Sequence, residues 1–227
     1  MKFVIASASP RRKELFSLTG WEAEILPTDI PETRDSAETA GAYVSRLAAQ
    51  KAQFAAAHRG QTEPAVILAA DTIVYFEEQI LEKPENSSHA YSMLDMLRGK
   101  THQVCTAVAL INTCSGTASE CACITDVPMR SYAQHEIDRY IKSGSPLDKA
   151  GAYGIQDRDF APVEIDKMNG CFANVMGLPL CHLVVQLRRL GILTSTDIPA
   201  ACQRYNEYHC PVYASILGGE PCVEPHL

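Results

Sequence analysis

The chain has 227 residues, enough for one large domain or two small ones. With 46% hydrophobic and 21% charged residues, its composition is that of an ordinary soluble globular protein. A net charge of −7 argues against a general affinity for nucleic acid polymers or acidic membranes, so any anion binding must be local.

Met1-Lys2 leads straight into a short apolar run at residues 3–6, with neither the length nor the cleavage site of a signal peptide. No stretch approaches a membrane span in length, and a cytoplasmic location is the expectation. The run Phe3-Val4-Ile5-Ala6 is partly β-branched and reads as a strand. Ser9-Pro10 then starts a helix, with Ser at the N-cap and Pro where a missing N–H costs nothing. Arg11 and Arg12 fall in the first turn, the wrong sign for the helix dipole. An anion such as phosphate, meeting these arginines, free N–H groups and the hydroxyls of Ser7 and Ser9, would relieve the repulsion. Two solvated arginines at a helix start are an equally weighted alternative.

Residues 21–27 suit a second strand, and a polar loop over 28–33 carries Glu32, either a solvated turn residue or a carboxylate brought in to hold a cation. Residues 42–58 form an Ala-rich helix whose apolar face runs through Val44, Leu47 and Ala48, with Lys51 on the same face. A lysine there either snorkels, the commoner case, or meets an anion. Residues 65–76 read as a strand buried on both faces, interrupted by Asp71. A carboxylate at such a place needs a partner, a metal or a cleft. Residues 80–81 pair back after a turn, and Glu82-Lys83-Pro84 ends that hairpin with Lys83 near Asp71. A helix over 87–98 buries Ala90, Met93, Leu94 and Leu97 before Gly99. Residues 101–112 and 118–127 make a long antiparallel hairpin, and residues 132–142 a helix closed by Gly144. Residues 147–156 carry two glycines and read as an irregular strand or an accessible loop. A Gly- and Asn-rich loop over 170–179 opens a helix over 180–190.

Residues 194–227 differ in character, with four prolines, three cysteines and little periodicity, and read as an appendage. Cys202, His209, Cys210 and Cys222 match no standard zinc spacing. The nine cysteines, odd in number and irregular in spacing, read as reduced thiols rather than a disulfide framework.

Ser7-Ala8-Ser9-Pro10-Arg11-Arg12, Ala70-Asp71-Thr72, Glu82-Lys83-Pro84, Asp148-Lys149-Ala150-Gly151-Ala152-Tyr153-Gly154-Ile155-Gln156 and Gly177-Leu178-Pro179 occur together in this order. The set resembles the Maf family of nucleotide pyrophosphatases over residues 2–190. The resemblance implies an α/β fold with an elongated, mixed, twisted sheet, two lobes and a deep central cleft. It divides the chain into residues 1–193, the pyrophosphatase domain, and residues 194–227, an appendage of unassigned role. It implies hydrolysis of a nucleoside triphosphate between the α and β phosphates, with a divalent cation, Mg²⁺ or Mn²⁺. By position it carries Ser7, Arg11 and Arg12 over as the loop that meets the nucleotide, and Lys51 and Lys83 as the cleft lysines. Asp71 becomes the catalytic carboxylate, Glu32 the carboxylate that holds metal with it, and Gln156 the residue near the base. A homodimer is compatible with it. The chain departs from the pattern at Asp157-Arg158-Asp159, where small residues are common, and at Cys171, where serine often follows Gly170.

The chemistry fits the residue types, since a triphosphate brings about four negative charges that arginines, lysines and a metal must offset. Within the resemblance, the branch acting on dTTP and UTP carries Arg, Thr and Gln at the positions of Arg12, Thr72 and Gln156. The 7-methyl-GTP branch carries Trp, Glu and Lys, which suit a cationic base. All three positions here are of the pyrimidine type, and nothing bulky among them forbids a 5-substituted uridine. The rivals are another nucleotide pyrophosphatase, of 7-methyl-GTP or a purine, and a non-catalytic nucleotide-binding regulator of septum formation. The acidic pair favours an enzyme, because a binding module has no use for carboxylates facing its own anionic ligand.

Overall fold

The computed structural model describes residues 1–59 and 63–219. Its frame is a six-stranded mixed sheet of order β2-β1-β3-β5-β6 with β4 paired to β3. The chain enters through β1 (Lys2–Ile5), α1 (Pro10–Ser17) and β2 (Ala23–Ile25), then crosses through the long α2 (Ala40–His58) into β3 (Ala65–Phe76). A tight turn returns it as β4 (Gln79–Leu81), followed by α3 (Ser87–Leu97), β5 (Thr101–Asn112), β6 (Ala118–Pro128) and α4 (Gln134–Lys142). The helices α5 (Phe172–Met176), α6 (Leu180–Arg189), α7 (Ile198–Asn206) and α8 (Tyr213–Leu217) complete the described chain. The mixed α/β architecture expected from the sequence is therefore the one observed.

β3 joins two kinds of pairing. Its first half runs parallel to β1, with Lys2 opposite Ala65 and Ile5 opposite Leu68. Its last residues pair antiparallel with β4, from Val74 opposite Leu81. Its other edge is laddered to β5 from Val66 to Tyr75. Between the ends of β1 and β4, residues 69–73 have no strand neighbour on one side among the described residues. The loops leaving β1 and β4 part there, and the sheet opens into a cleft.

Alternation along β3 feeds two cores, because successive side chains leave opposite faces of a strand. Ile67, Ala69 and Ile73 pack against Tyr43, Val44, Leu47 and Ala48 of α2. Val66, Leu68, Ala70 and Val74 face a larger core with Leu15 and Phe16 of α1, Leu94 and Leu97 of α3, and Leu180 and Leu183 of α6. Continuous burial of β3 explains its unbroken apolar run.

Three segments differ from the sequence expectation. Residues 145–152 form two 3-10 turns rather than an irregular strand, with Gly151 at φ +68° and Ala152 at φ +60°. The loop over 170–179 contains α5, closed by Gly177 at φ +104°. The appendage is helical at α7 and α8, and it packs on the main core through Ile198, 1% exposed, and Tyr208. The Tyr208 hydroxyl donates to the carbonyls of Met168 and Gly170, at 2.9 and 3.1 Å, fastening residues 168–170. Among the described residues no group of three or more His, Cys, Asp or Glu side chains is arranged to hold a metal, and Cys222 lies outside the described residues. No described helix is long and apolar enough to cross a membrane.

Candidate active site

The cleft at the β1/β4 gap encloses about 270 Å³. Two adjacent residues of β3 supply its two sides. Asp71 leaves the strand toward α2, and Thr72 leaves it toward α1 and α5.

On the α2 side, Lys51 is carried in by the apolar face of its helix and is only 8% exposed, as is Asp71. Its Nζ lies 2.5 Å from Asp71 Oδ1 and 2.6 Å from Glu32 Oε1. The lysine thus meets anions rather than snorkelling. A buried charge needs such partners, since desolvation of an unpaired ammonium costs several kcal/mol, in order of magnitude. The Glu32 side chain is 53% exposed, so one carboxylate of the pair is sealed and the other faces solvent. Tyr43, also on α2, donates its hydroxyl to the Glu32 carbonyl at 2.7 Å and to Glu82 Oε1 at 3.0 Å, which fixes the loop bearing Glu32. Burial, reinforced by the bond to Glu82, raises the Tyr43 phenol above its usual range, so it stays a donor.

On the other side, Arg12 is held at three points. Its Nε donates to the Gly177 carbonyl at 3.0 Å, and its two terminal nitrogens donate to Ser7 Oγ at 3.1 Å and Thr72 Oγ1 at 3.0 Å. Burial lowers the Arg12 pKa, opposed by the Asp71 charge, yet a guanidinium remains protonated. Gly177 is required where it stands. A Cβ there would sit 3.2 Å from Thr72 Oγ1 and 3.5 Å from Arg12 Nε, on a backbone of positive φ. Behind this contact, Thr72 and Thr106 share a hydroxyl–hydroxyl bond of 3.0 Å, and Thr106 donates to the Asn174 carbonyl at 2.9 Å. The Asn174 amide in turn bonds Val104 O and Thr125 Oγ1, both at 2.9 Å, so α5 is locked to β5 and β6.

Arg11, Arg12, Glu32, Lys51, Asp71, Thr72, Lys83 and Gln156, expected from sequence, all line this one cleft. Ser7 stands one layer back, binding Arg12 and accepting the Ser9 N–H at 3.2 Å rather than forming the wall. The two arginines of α1 do not wait unpartnered at the helix start, since Arg11 donates to Asp148 Oδ2 at 2.9 Å. Lys83 is exposed and has no partner among the described residues, which leaves it free for an incoming anion. Sequence reasoning assigned no role to Tyr43, Glu82 or Lys149. Lys149 is 7% exposed, bonded to Ser145 O at 2.6 Å and Asp148 Oδ1 at 2.9 Å. Its position in the quoted motif was the available signal.

The donor set suits a hard divalent cation. Glu32 and Asp71 present carboxylates to a common point, now bridged by Lys51. Mg²⁺ is typically held by one or two carboxylates, with phosphate and water oxygens completing the shell.

The family profile described as Maf-like protein matches residues 2–190. The chain belongs to this family. It is 47% identical over 189 residues to a protein of Escherichia coli named dTTP/UTP pyrophosphatase, covering 83% of this chain and 93% of that one. A Salmonella typhimurium protein of the same name is 46% identical over the same span. Among solved structures, a nucleoside-triphosphatase / dITP/XTP pyrophosphatase from Mycobacterium abscessus is 18% identical with a TM-score of 0.40. That match covers 84% of this chain and 98% of the other.

Proposed function

We propose that this Maf-like protein hydrolyses dTTP and UTP at the bond between the α and β phosphates, releasing a nucleoside monophosphate and pyrophosphate. The observation that carries this reading is the division of one cleft into two chemistries. The α2 side holds a cation between two carboxylates, and elsewhere the cleft is lined by the hydrogen-bonding side chains of Arg12, Thr72 and Gln156. The names of the relatives at 46–47% identity support the same substrates.

In this reading the triphosphate lies along the cleft with its charge opposed by Lys83, Arg11 and Lys51. Asp71 takes the proton of the water that attacks the α-phosphorus, and the bond to the pyrophosphate oxygen breaks as the new P–O bond forms. Lys51 orients Asp71 by holding its Oδ1, leaving Oδ2 for the water. Glu32 and Asp71, with phosphate oxygens, would hold Mg²⁺ or Mn²⁺, which when bound offsets phosphate charge and polarises the reacting phosphoryl group. A neutral uracil or thymine ring offers two carbonyls and one N–H, which Gln, Thr and Arg side chains can satisfy. Residues 1–193 would carry this activity, with the described part of the appendage, residues 194–219, supporting one wall of the domain. Pyrophosphate release from a panel of triphosphates with Mg²⁺ tests the proposal. UTP and dTTP should be turned over well above ATP, GTP and 7-methyl-GTP, and a preference for any of these purines defeats it.

A further inference from the structure

Gln156 lines the cleft half-buried, with its amide against the neighbouring Asp157. Nε2 lies 3.1 Å from Asp157 Oδ1. An ionised carboxylate can only accept hydrogen bonds, so chemistry alone requires the amide atom facing it to be the nitrogen. Asp157 is itself anchored through its other oxygen. Oδ2 accepts the Tyr140 hydroxyl at 2.5 Å and the Ser145 hydroxyl at 2.8 Å, and Lys149 Nζ lies 3.6 Å away. The same Tyr140 oxygen accepts the Gly154 N–H at 3.1 Å, which ties the backbone before Gln156 to the same anchor. Gly154 also leaves the space the pair occupies, since a Cβ there would come within 2.7 Å of Gln156 Nε2 and 2.8 Å of Asp157 Oδ1. One of the two Nε2 hydrogens is committed to Asp157, which holds the amide in this orientation, and Oε1 meets no donor among the described residues.

We propose that Asp157 is a positioning residue for base selection, holding the Gln156 amide in one of its two orientations so that the cleft presents an acceptor there. The inference rests on the reading of the protein as a pyrimidine nucleotide pyrophosphatase. Uracil and thymine carry an N–H at ring position 3, where cytosine carries a lone pair. A glutamine free to flip can serve either base by turning its nitrogen or its oxygen toward the ring. A glutamine fixed with its oxygen toward the ring accepts from the N–H of uracil or thymine and opposes the lone pair of cytosine. Polar mismatches of this kind are the contacts by which sites discriminate most strongly.

The test is steady-state pyrophosphate release from UTP and CTP by the full chain, compared with its D157A and D157N variants. D157A should lower the UTP-to-CTP ratio of kcat/KM about tenfold, through a raised KM for UTP with kcat largely kept. D157N preserves shape and can face Gln156 with either amide atom, so it should lower the ratio about threefold, and it decides the matter if D157A does not fold. A merely structural role would depress both nucleotides in parallel. A ratio within about twofold of the parent in a folded variant, parallel losses included, overturns the inference. A parent protein inactive on both UTP and dTTP overturns the functional reading instead, and the inference with it.

Discussion

Lys51→Met removes the cation that bridges Asp71 and Glu32 while keeping the length of the stem. Glu32 is half in solvent and loses little. Asp71, 8% exposed, is left as a buried carboxylate facing another across the vacated position. Stranding one partner of a buried pair costs about 3–5 kcal/mol, and access to the cleft puts this site at the lower end, about 3 kcal/mol. For a chain of this length that corresponds to a fall in Tm of about 6–12 °C. The double variant Lys51→Met/Asp71→Asn removes the charge on both sides and should recover more than half of that loss. Differential scanning calorimetry of the parent, both single variants and the double variant closes the cycle. If the double variant is no more stable than Lys51→Met, Asp71 is not stabilised by Lys51. The account of why a lysine sits on the apolar face of α2 then fails.

Asp71→Asn keeps an acceptor for Lys51 and should fold normally while turnover falls about a hundredfold or more, a measurement that near-parental rates in a folded variant would contradict. Pyrophosphate release should vanish in EDTA and return on adding Mg²⁺ or Mn²⁺, and full activity in chelator would show that the cations of the chain suffice. Tyr208→Phe leaves the Met168 and Gly170 carbonyls without their donor and should cost about 1–2 kcal/mol by urea unfolding, with hydrolysis retained. Burial depresses His102 to about 3 and His182 to about 4. Below pH 6.5 the unfolded chain therefore binds protons that the native state refuses, and stability should fall as pH drops from 6.5 toward 4. Two such groups give a slope of at most about 2.7 kcal/mol per pH unit, and His102→Gln should roughly halve it in urea titrations.

The sheet was legible because its strands are long or flanked by turn residues. β3 and β5 were read to their end residues, and Asp71 stood out as a carboxylate interrupting an apolar run, but burial on both faces left no alternation to show which side it leaves by. α5 was not legible. It is five residues long, lies inside a Gly- and Asn-rich run, and is held by the tertiary bonds of Asn174 to β5 and β6. The same holds for α7, whose buried anchor Ile198 stands nearly alone in a stretch with no apolar stripe. In the site, the motifs located Arg12, Asp71 and Gln156, and the helical face located Lys51. Part of what holds them was hidden, because Gly177 reaches Arg12 and Glu32 reaches Lys51 from distant parts of the chain. Asp157 registered only as a departure from the expected small residues, since its partners Tyr140 and Ser145 emerge only when α4 and the 3-10 turns pack together.

The placement of Asp71 and Thr72 on opposite faces of one strand makes the enzyme intolerant of single-residue insertions and deletions there. Losing or gaining one position between Ala65 and Ala70 would turn every following side chain over. Asp71 would then point at Arg12 and Gly177, and Thr72 at Lys51. The apolar run would hide the error, because both faces of β3 carry small and branched apolar side chains. Such a variant would keep the circular dichroism of a folded chain and yet lose both the proposed base and the proposed specificity contact in one step. Family members that differ in length should therefore carry the difference in the loops flanking this strand and none within it.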